Sequence, residues 1–302
     1  MTAEEFERQL KRKVEHAERV IAGYLPAQEG YSARVIEAMN YSVEAGGKRL
    51  RPLILEETAA MYGDASLSGP FMAALEMIHT YSLVHDDLPA MDNDEFRRGR
   101  KTTWSVYGEG MAVIAGDGLL NYAYETALAA YETAGDAQGK DRVFRALRIL
   151  ASNAGVFGMV GGQCADIVTD QNSESLTPEL LYYIHEKKTA CLIASAFQIG
   201  AVLAGAPEED IAALGEIASD IGHAFQIQDD ILDVTGNQEE LGKSIGKDAA
   251  EGKATYVSMN GLEASREKVK VLTEHAVKSM KGLSAHSDFL EELVLHLMTR
   301  TK

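Results

Sequence analysis

The sequence predicts an all-α fold, a single large helical bundle spanning residues 1–302. Three observations carry that prediction. Apolar residues recur at three- and four-residue spacing over 3–23, 71–87, 110–133, 141–155, 178–204, 208–235 and 262–280. Alternating runs of Val, Ile and Thr are scarce, so almost no sheet is expected. The breaks near 24–30, 62–69, 88–103, 134–140, 169–177, 205–207 and 236–252 are short, and neither a Pro/Ser-rich linker nor a fixed repeat divides the chain. The pattern calls for roughly ten to fourteen packed helices.

Element by element, Met1–Arg8 opens the first helix without the apolar core of a signal peptide. Pro52, Pro70, Pro178 and Pro207 each stand where a helical pattern starts, the position that tolerates a missing N–H. Thr177 is placed to cap the helix that Pro178 opens. Ala190–Ala206 carries no charge and is preceded by Lys187 and Lys188. It is slightly short for a membrane span and contains Ser195, Gln198 and Gly200. A buried bundle helix is therefore expected, with a membrane span as the competing reading, and the expected location is cytoplasmic. Cys164 and Cys191, the two cysteines, are expected as buried free thiols.

The formal net charge is −17, from 29 Lys and Arg against 46 Asp and Glu. Nucleic-acid backbones are held by clustered cations, so nucleic-acid binding is not expected. The acidic residues are themselves clustered. Asp86-Asp87-Leu-Pro-Ala-Met-Asp92 is followed by Asp94 and Glu95, and Asp229-Asp230-Ile-Leu-Asp233 begins 143 residues later. At about 100° per residue, Asp229 and Asp233 share one helix face, with Gln226 a turn earlier on the same side. Phe225, Ile227, Ile231 and Leu232 make the rest of that helix apolar. Carboxylates on such a helix need a cation or basic partners. Asp92 lies about 240° from Asp86 on an ideal helix, the wrong face, but Pro89 disfavours helix at Leu88, and a turn there can bring Asp92 back. A lone Asp-Asp pair is commonly a helix cap; two such clusters, each after a nearly uncharged helix, favour a metal. Oxygen donors without clustered Cys or His favour Mg²⁺.

Basic residues are local in this acidic chain. They fall in Gly46-Gly-Lys48-Arg49-Leu-Arg51-Pro52, in Arg97-Arg98-Gly-Arg100-Lys101, in Lys187-Lys188-Thr189, and at Lys243, Lys247 and Lys253. Singly these read as surface loops or as salt-bridge partners of Asp92 to Glu95. Together with the acidic clusters they suggest a site for two anionic groups, one bridged by metal and one held by Lys48, Arg51 and Arg98.

These motifs, with the run Ile78-His-Thr-Tyr-Ser-Leu-Val-His85 before the first acidic cluster, Gly161-Gly-Gln163, Lys188-Thr189, Phe225-Gln-Ile-Gln before the second, and Asp248-Ala-Ala-Glu-Gly-Lys253, resemble the trans-isoprenyl diphosphate synthases. The closest likeness is to bacterial members that form farnesyl diphosphate. The resemblance implies an isoprenoid-synthase bundle around a deep central cavity, usually a homodimer, with the two acidic motifs facing each other. It implies three Mg²⁺ held by Asp86, Asp87 and Asp92 on one wall and by Asp229, with Asp230 and Asp233, on the other. Arg97, Lys188 and Lys253, joined by Lys243, match the ligands of an allylic diphosphate. Lys48, Arg51, His79 and Arg98 match those of isopentenyl diphosphate. Lys188, Thr189 and Gln226 offer oxygens toward the allylic cation.

Tyr81 lies five residues before Asp86, about 7.5 Å down the helix; beside Ser82 it is the candidate limit on chain length. A ring there accompanies C15 products in similar synthases, and plain core packing is the alternative. Lys101 and Trp104 depart from the family's usual Pro and His, which places Trp104 at a candidate subunit contact. The rival readings are a C20-forming synthase, a class I terpene cyclase, a non-catalytic partner subunit, and a di-iron bundle suggested by the Glu76/His79 spacing.

Overall fold

The computed structural model describes residues 1–171, 176–235 and 255–299, and among them the chain is helical throughout, apart from one short ribbon. It divides into two compact units: Thr2–Leu147 with Val202–Gly205, and Arg148–Ala201 with Ala206–Lys302 and Met1. Fourteen α-helices fall within the described residues.

In the first unit, α1 (Ala3–Gly23) starts at a capping box between Thr2 and Glu5. It is followed by α2 (Ala33–Val43), α3 (Leu50–Met61) and α4 (Ser68–Asp86). The ribbon pairs Phe96 with Lys101 and Arg97 with Arg100. Next come α5 (Thr103–Tyr107), α6 (Glu109–Thr133) and the part of α7 (Ala137–Ala154) up to Leu147, its remainder counting with the second unit. The hub is α4, buried from Pro70 to Ile78, because that run is apolar all round and must be covered on every side. Its principal neighbour is α6, with α1, α2 and α3 around the rest. On α6 the buried residues Ala112, Ala115, Gly116, Leu119, Ala123, Thr126, Ala127 and Ala130 recur every three or four positions, and their small size lets the helices approach closely. At Gly116 a Cβ would fall 2.1 Å from His85 Nε2, so only glycine lets that ring lie flat on α6.

One charge sits inside this hub. Glu76 is 2% exposed and is met by Arg49 Nη1 at 2.7 Å, while Arg49 Nη2 donates to the Val43 carbonyl at 2.7 Å. To reach both, Arg49 adopts a left-handed backbone, φ 49°, a conformation that costs a non-glycine residue about 1–2 kcal/mol. The pair fixes the start of α3 to α4, and it shows that Glu76 is the counter-ion of an arginine. The di-iron reading, which needs Glu76 as a ligand, is set aside.

The second unit holds α8 (Met159–Gln171), α9 (Pro178–Ile184), a π-helical turn (His185–Ala190), α10 (Cys191–Ala204), α11 (Glu208–Thr235), α12 (Tyr256–Asn260), α13 (Leu262–Met280) and α14 (Asp288–Thr299). Thr177 caps α9, accepting from the Leu180 N–H, with Pro178 in its first turn. The central helix is α11, packed against α13, the π turn, α12 and α14.

The helices expected at 3–23, 208–235 and 262–280 end where the periodicity does. The one at 178–204 is divided by the π turn. Two stretches, 137–170 and 178–204, are long and apolar enough to cross a membrane. The first is broken at 155–158. Two-thirds of the apolar window in the second is buried in protein, with Leu192, Ala196 and Phe197 inaccessible, as a core helix requires. Cys191 is buried, but Cys164 is exposed; the glycines ahead of it hid the orientation of α8 in the sequence.

Glu76→Ala leaves the buried Arg49 guanidinium with only the longer contact from its Nε to the exposed Glu18 at 3.8 Å. It should lower the unfolding free energy in urea by about 3–5 kcal/mol.

Candidate active site

The first acidic motif sits where α4 stops. The helix ends at Asp86, and Pro89 forces the turn. The Met91 and Asn93 N–H groups donate to the Leu88 carbonyl at 2.9 and 3.1 Å, and the Asp92 N–H donates to the Asp86 carbonyl at 2.9 Å. Asp92 therefore returns beside Asp86, as the proline suggested. Asn93, with φ 53°, supplies the left-handed corner. Asp87 is 4% exposed. Arg97 grips it with Nε at 2.7 Å and Nη2 at 2.6 Å, and also reaches Asp94 at 3.6 Å. Burial nevertheless pushes the Asp87 carboxyl above its ordinary value, Arg97 opposes this, and Asp94 and Asp92 add to it. One arginine does not balance this loop, and the oxygen-only donor set of Asp86, Asp87 and Asp92 suits a hard divalent cation. Among the described residues, no three His, Cys, Asp or Glu side chains form a preformed metal cage.

The basic motifs meet next to this loop. Arg98 donates to the Gly46 carbonyl and lies over Gly47, where a Cβ would fall 2.4 Å from its Nη1; Gly47, at φ 139°, admits the guanidinium. Arg51 has a buried Nε without a hydrogen-bond partner among the described residues. Burial lowers its pKa to about 10, with Glu76 opposing and Arg98 reinforcing. His79 is pushed well below 6.5 by burial and then by Arg51, Arg98, Arg97 and Arg49. Four arginines and a neutral imidazole thus share one region, and the Arg51 guanidinium keeps donor capacity that an anion could take up. Lys48 is exposed beside it. A cavity of about 30 Å³ adjoins it, lined by Tyr41, Thr80, Asp87, Arg97, Arg98 and Lys101 among others. Trp104 donates its indole N–H to the Asp94 carbonyl at 2.9 Å, so within the chain it braces the acidic loop. Tyr81 is buried on α4, edge-on to His85 at 5.8 Å. Burial, with Tyr124 and Asp86, pushes its phenol up to about 12. Ser82 turns its hydroxyl to the His79 carbonyl at 2.9 Å.

In the second unit, Gln226, Asp229, Asp230 and Asp233 lie on α11, half-buried except Asp230, which is buried. Asp230 accepts the Tyr256 N–H at 2.9 Å and so ties down the start of α12. Lys188 and Thr189 sit in the π turn. Lys188 Nζ is ion-paired with Asp166 of α8, and the Thr189 hydroxyl donates to Gln226 Oε1 at 3.1 Å. The structure therefore brings Lys188, Thr189 and Gln226 together. Asp166 was missed in the sequence; its signal is a carboxylate one helical turn beyond Gly162. Lys243 and Lys253 lie outside the described residues.

Comparison with known proteins gives a consistent result. The polyprenyl synthetase family model matches residues 32–293. The farnesyl diphosphate synthase of Bacillus subtilis is 45% identical over 258 residues, 85% of this chain and 86% of its own. That of Geobacillus stearothermophilus is 41% identical over 283 residues, 93% and 92%. Among solved structures, an apo FPP/GFPP synthase from Zymomonas mobilis matches with TM-score 0.87 and 30% identity, covering 99% of this chain and 100% of its own. A geranyltransferase from Helicobacter pylori, complexed with magnesium and isoprenyl diphosphate, matches with TM-score 0.80 and 29% identity, covering 96% and 95%.

His185, beside this site, is lowered to about 4 by burial and by His223. A histidine neutral in the fold protonates first in the unfolded chain, so its contribution is complete above pH 6.5 and is lost as the pH falls toward 4. His79 acts in the same sense. Urea unfolding should show stability falling over that window, with a slope shallower in His185→Gln by up to about 3 kcal/mol in total.

Proposed function

The chain belongs to the polyprenyl synthetase family, and from that premise we propose that it is a prenyltransferase. It joins isopentenyl diphosphate head to tail to dimethylallyl or geranyl diphosphate and releases farnesyl diphosphate and inorganic diphosphate. The observation that carries the reading is one loop that gathers Asp86, Asp87 and Asp92 and is gripped by Arg97, whose neighbour Arg98 leads to Arg51 and its unpartnered buried N–H.

In this reading Arg97, Lys188, Lys243 and Lys253 take the allylic diphosphate. Lys48, Arg51, Arg98 and His79 take isopentenyl diphosphate; neutral His79 offers it a hydrogen bond without adding charge. Asp86, Asp87 and Asp92, and Asp229 with Asp230 and Asp233, hold Mg²⁺, three ions in the full complement. When bound, Mg²⁺ supplies positive charge against the diphosphate as it departs. Lys188 and Arg97 add fixed cations on the same group, stabilising its growing charge without reorganisation. The allylic C–O bond breaks. The terminal alkene carbon of isopentenyl diphosphate forms the new C–C bond, and the proton lost from the adduct passes to the departed diphosphate. The Thr189–Gln226 pair offers its oxygens to the electron-poor allyl group. A buried Tyr81 under Asp86 favours a C15 product over the C20 alternative, because the growing chain meets a ring held edge-on to His85.

The family match runs through both compact units, and the chain is taken as one synthase domain acting in the cytoplasm. A homodimer is part of the proposal. It is supported by Val113, Ile114, Leu128 and Tyr131 on α6 and by Phe144 on α7, large apolar residues that stand exposed in the single chain.

Incubation with isopentenyl and geranyl diphosphates and Mg²⁺, with products sized by chromatography, should give a single C15 product. Asp86→Ala and Asp229→Ala should each lose on the order of 10²–10³ in turnover; wild-type turnover in either removes that motif from the mechanism. Tyr81→Ala should shift the product to longer chains, and an unchanged C15 product would return Tyr81 to core packing.

A further inference from the structure

The π turn His185–Ala190 is held against α11 by contacts beyond the Thr189–Gln226 pair. Glu186 Oε2 accepts the Ser219 hydroxyl at 2.6 Å and faces His223 Nε2 at 3.0 Å. The His223 ring, 4% exposed, is stacked on Tyr182 at 4.0 Å and 20°. Gly222 brings the backbones together, since a Cβ there would lie 2.2 Å from the Ala190 Cβ. From the other side Gly162 of α8 presses on the same turn; its Cβ would lie 2.2 Å from the Lys188 N.

Read in steps of three and four, Ser219, Gly222, His223, Gln226, Asp229 or Asp230, and Asp233 form one continuous face of α11. The Glu186–His223 contact lies six residues before Asp229, about 9 Å up the same helix. A π turn has an extra residue per ring and no strong register of its own, so its side chains point where their partners fix them. We propose that Glu186 and His223 are positioning residues for prenyl transfer: their pairing, completed by Ser219 and Tyr182, sets the register of the turn that presents Lys188 and Thr189 against the part of α11 carrying Gln226 and Asp229. The Glu186 carboxyl is held below its ordinary value, first by the His223 bond, so it stays an acceptor. Neither residue needs to touch substrate.

The inference rests on the prenyltransferase reading, and the test separates the two. Both bonds converge on one oxygen, Oε2, so an amide oxygen can replace it. With isopentenyl and geranyl diphosphates and Mg²⁺, Glu186→Ala and His223→Leu should each lower kcat on the order of 10- to 100-fold, with the KM for isopentenyl diphosphate within about twofold and Glu186→Gln within about threefold of wild type in kcat. The KM is spared because Lys48, Arg51, His79 and Arg98 belong to the other compact unit. If His223→Leu does not fold, Ser219→Ala removes one bond only and should lower kcat several-fold at an unchanged melting temperature. Wild-type kcat in Glu186→Ala overturns the inference, as does a Glu186→Gln variant that falls as far as the alanine variant. A wild-type protein that forms no prenyl product overturns the function reading instead.

Discussion

A charge removed from water must be met by another charge or by directed hydrogen bonds, and both units of this chain are organised around that constraint. The central helix of each unit has a largely buried stretch that nonetheless carries carboxylates. Glu76 is met by Arg49, at the expense of a left-handed backbone at the arginine. Asp87 is met by Arg97 through two nitrogens of the guanidinium. Asp230 is met by the first N–H of α12, and Asp166 by Lys188. These contacts determine where loops and helix ends can lie. The acidic loop after α4, the glycine-led turn before α3 and the ribbon of Phe96–Lys101 are pinned by the arginines that give the region its local positive charge.

The π turn follows from a related demand. A regular helix through 178–204 would place side chains by its own periodicity. The two neighbouring helices instead present glycines, Gly162 and Gly222, that let the backbone at Lys187–Ala190 come close. They also present Asp166, Ser219, His223 and Gln226 as partners for the side chains of the turn. Packing and pairing outweigh local helical preference, and Lys188 and Thr189 are aimed by tertiary contacts. Extra-residue turns inside helices recur at functional positions for this reason.

That balance also accounts for what could be read from the sequence. The helices with one strong apolar stripe, 3–23, 208–235 and 262–280, were legible to the residue, as were the Thr177–Pro178 start and the turn at Pro89 that returns Asp92 to Asp86. Helix α8 was hidden because Gly161 and Gly162 weaken helix propensity; the backbone of residues 187–188 packs on Gly162, and a Cβ at Gly161 would meet the Val156 carbonyl. The π turn was illegible for the same reason. Charge partners distant in sequence were the main loss. Arg49 stood in the sequence only as one of three cations in the glycine-led turn, and nothing there showed that a side chain 27 residues away claims it. Nothing in the spacing of Glu186 and His223 marks them as a pair; the contact exists because α11 and the π turn pack in one register.

The same accounting resolves the conflict between a net charge of −17 and a proposed pair of anionic substrates. At long range the acidic surface repels polyanions, but salt screens exposed charges beyond about 10 Å. Inside that distance the local inventory decides. Around His79 it is Arg49, Arg51, Arg97 and Arg98; burial and then their field keep the imidazole neutral, and burial with Arg98 lowers Arg51 to about 10. Of these, Arg49 and Arg97 are largely neutralised by Glu76 and Asp87. Arg51 keeps a buried N–H without an acceptor among the described residues, and Arg98 donates to the Gly46 backbone carbonyl. Glu76 compensates Arg51 and Arg98 only at a distance, without a direct ion pair among the described residues. A diphosphate arriving there would relieve the crowding of cations that the fold otherwise has to sustain.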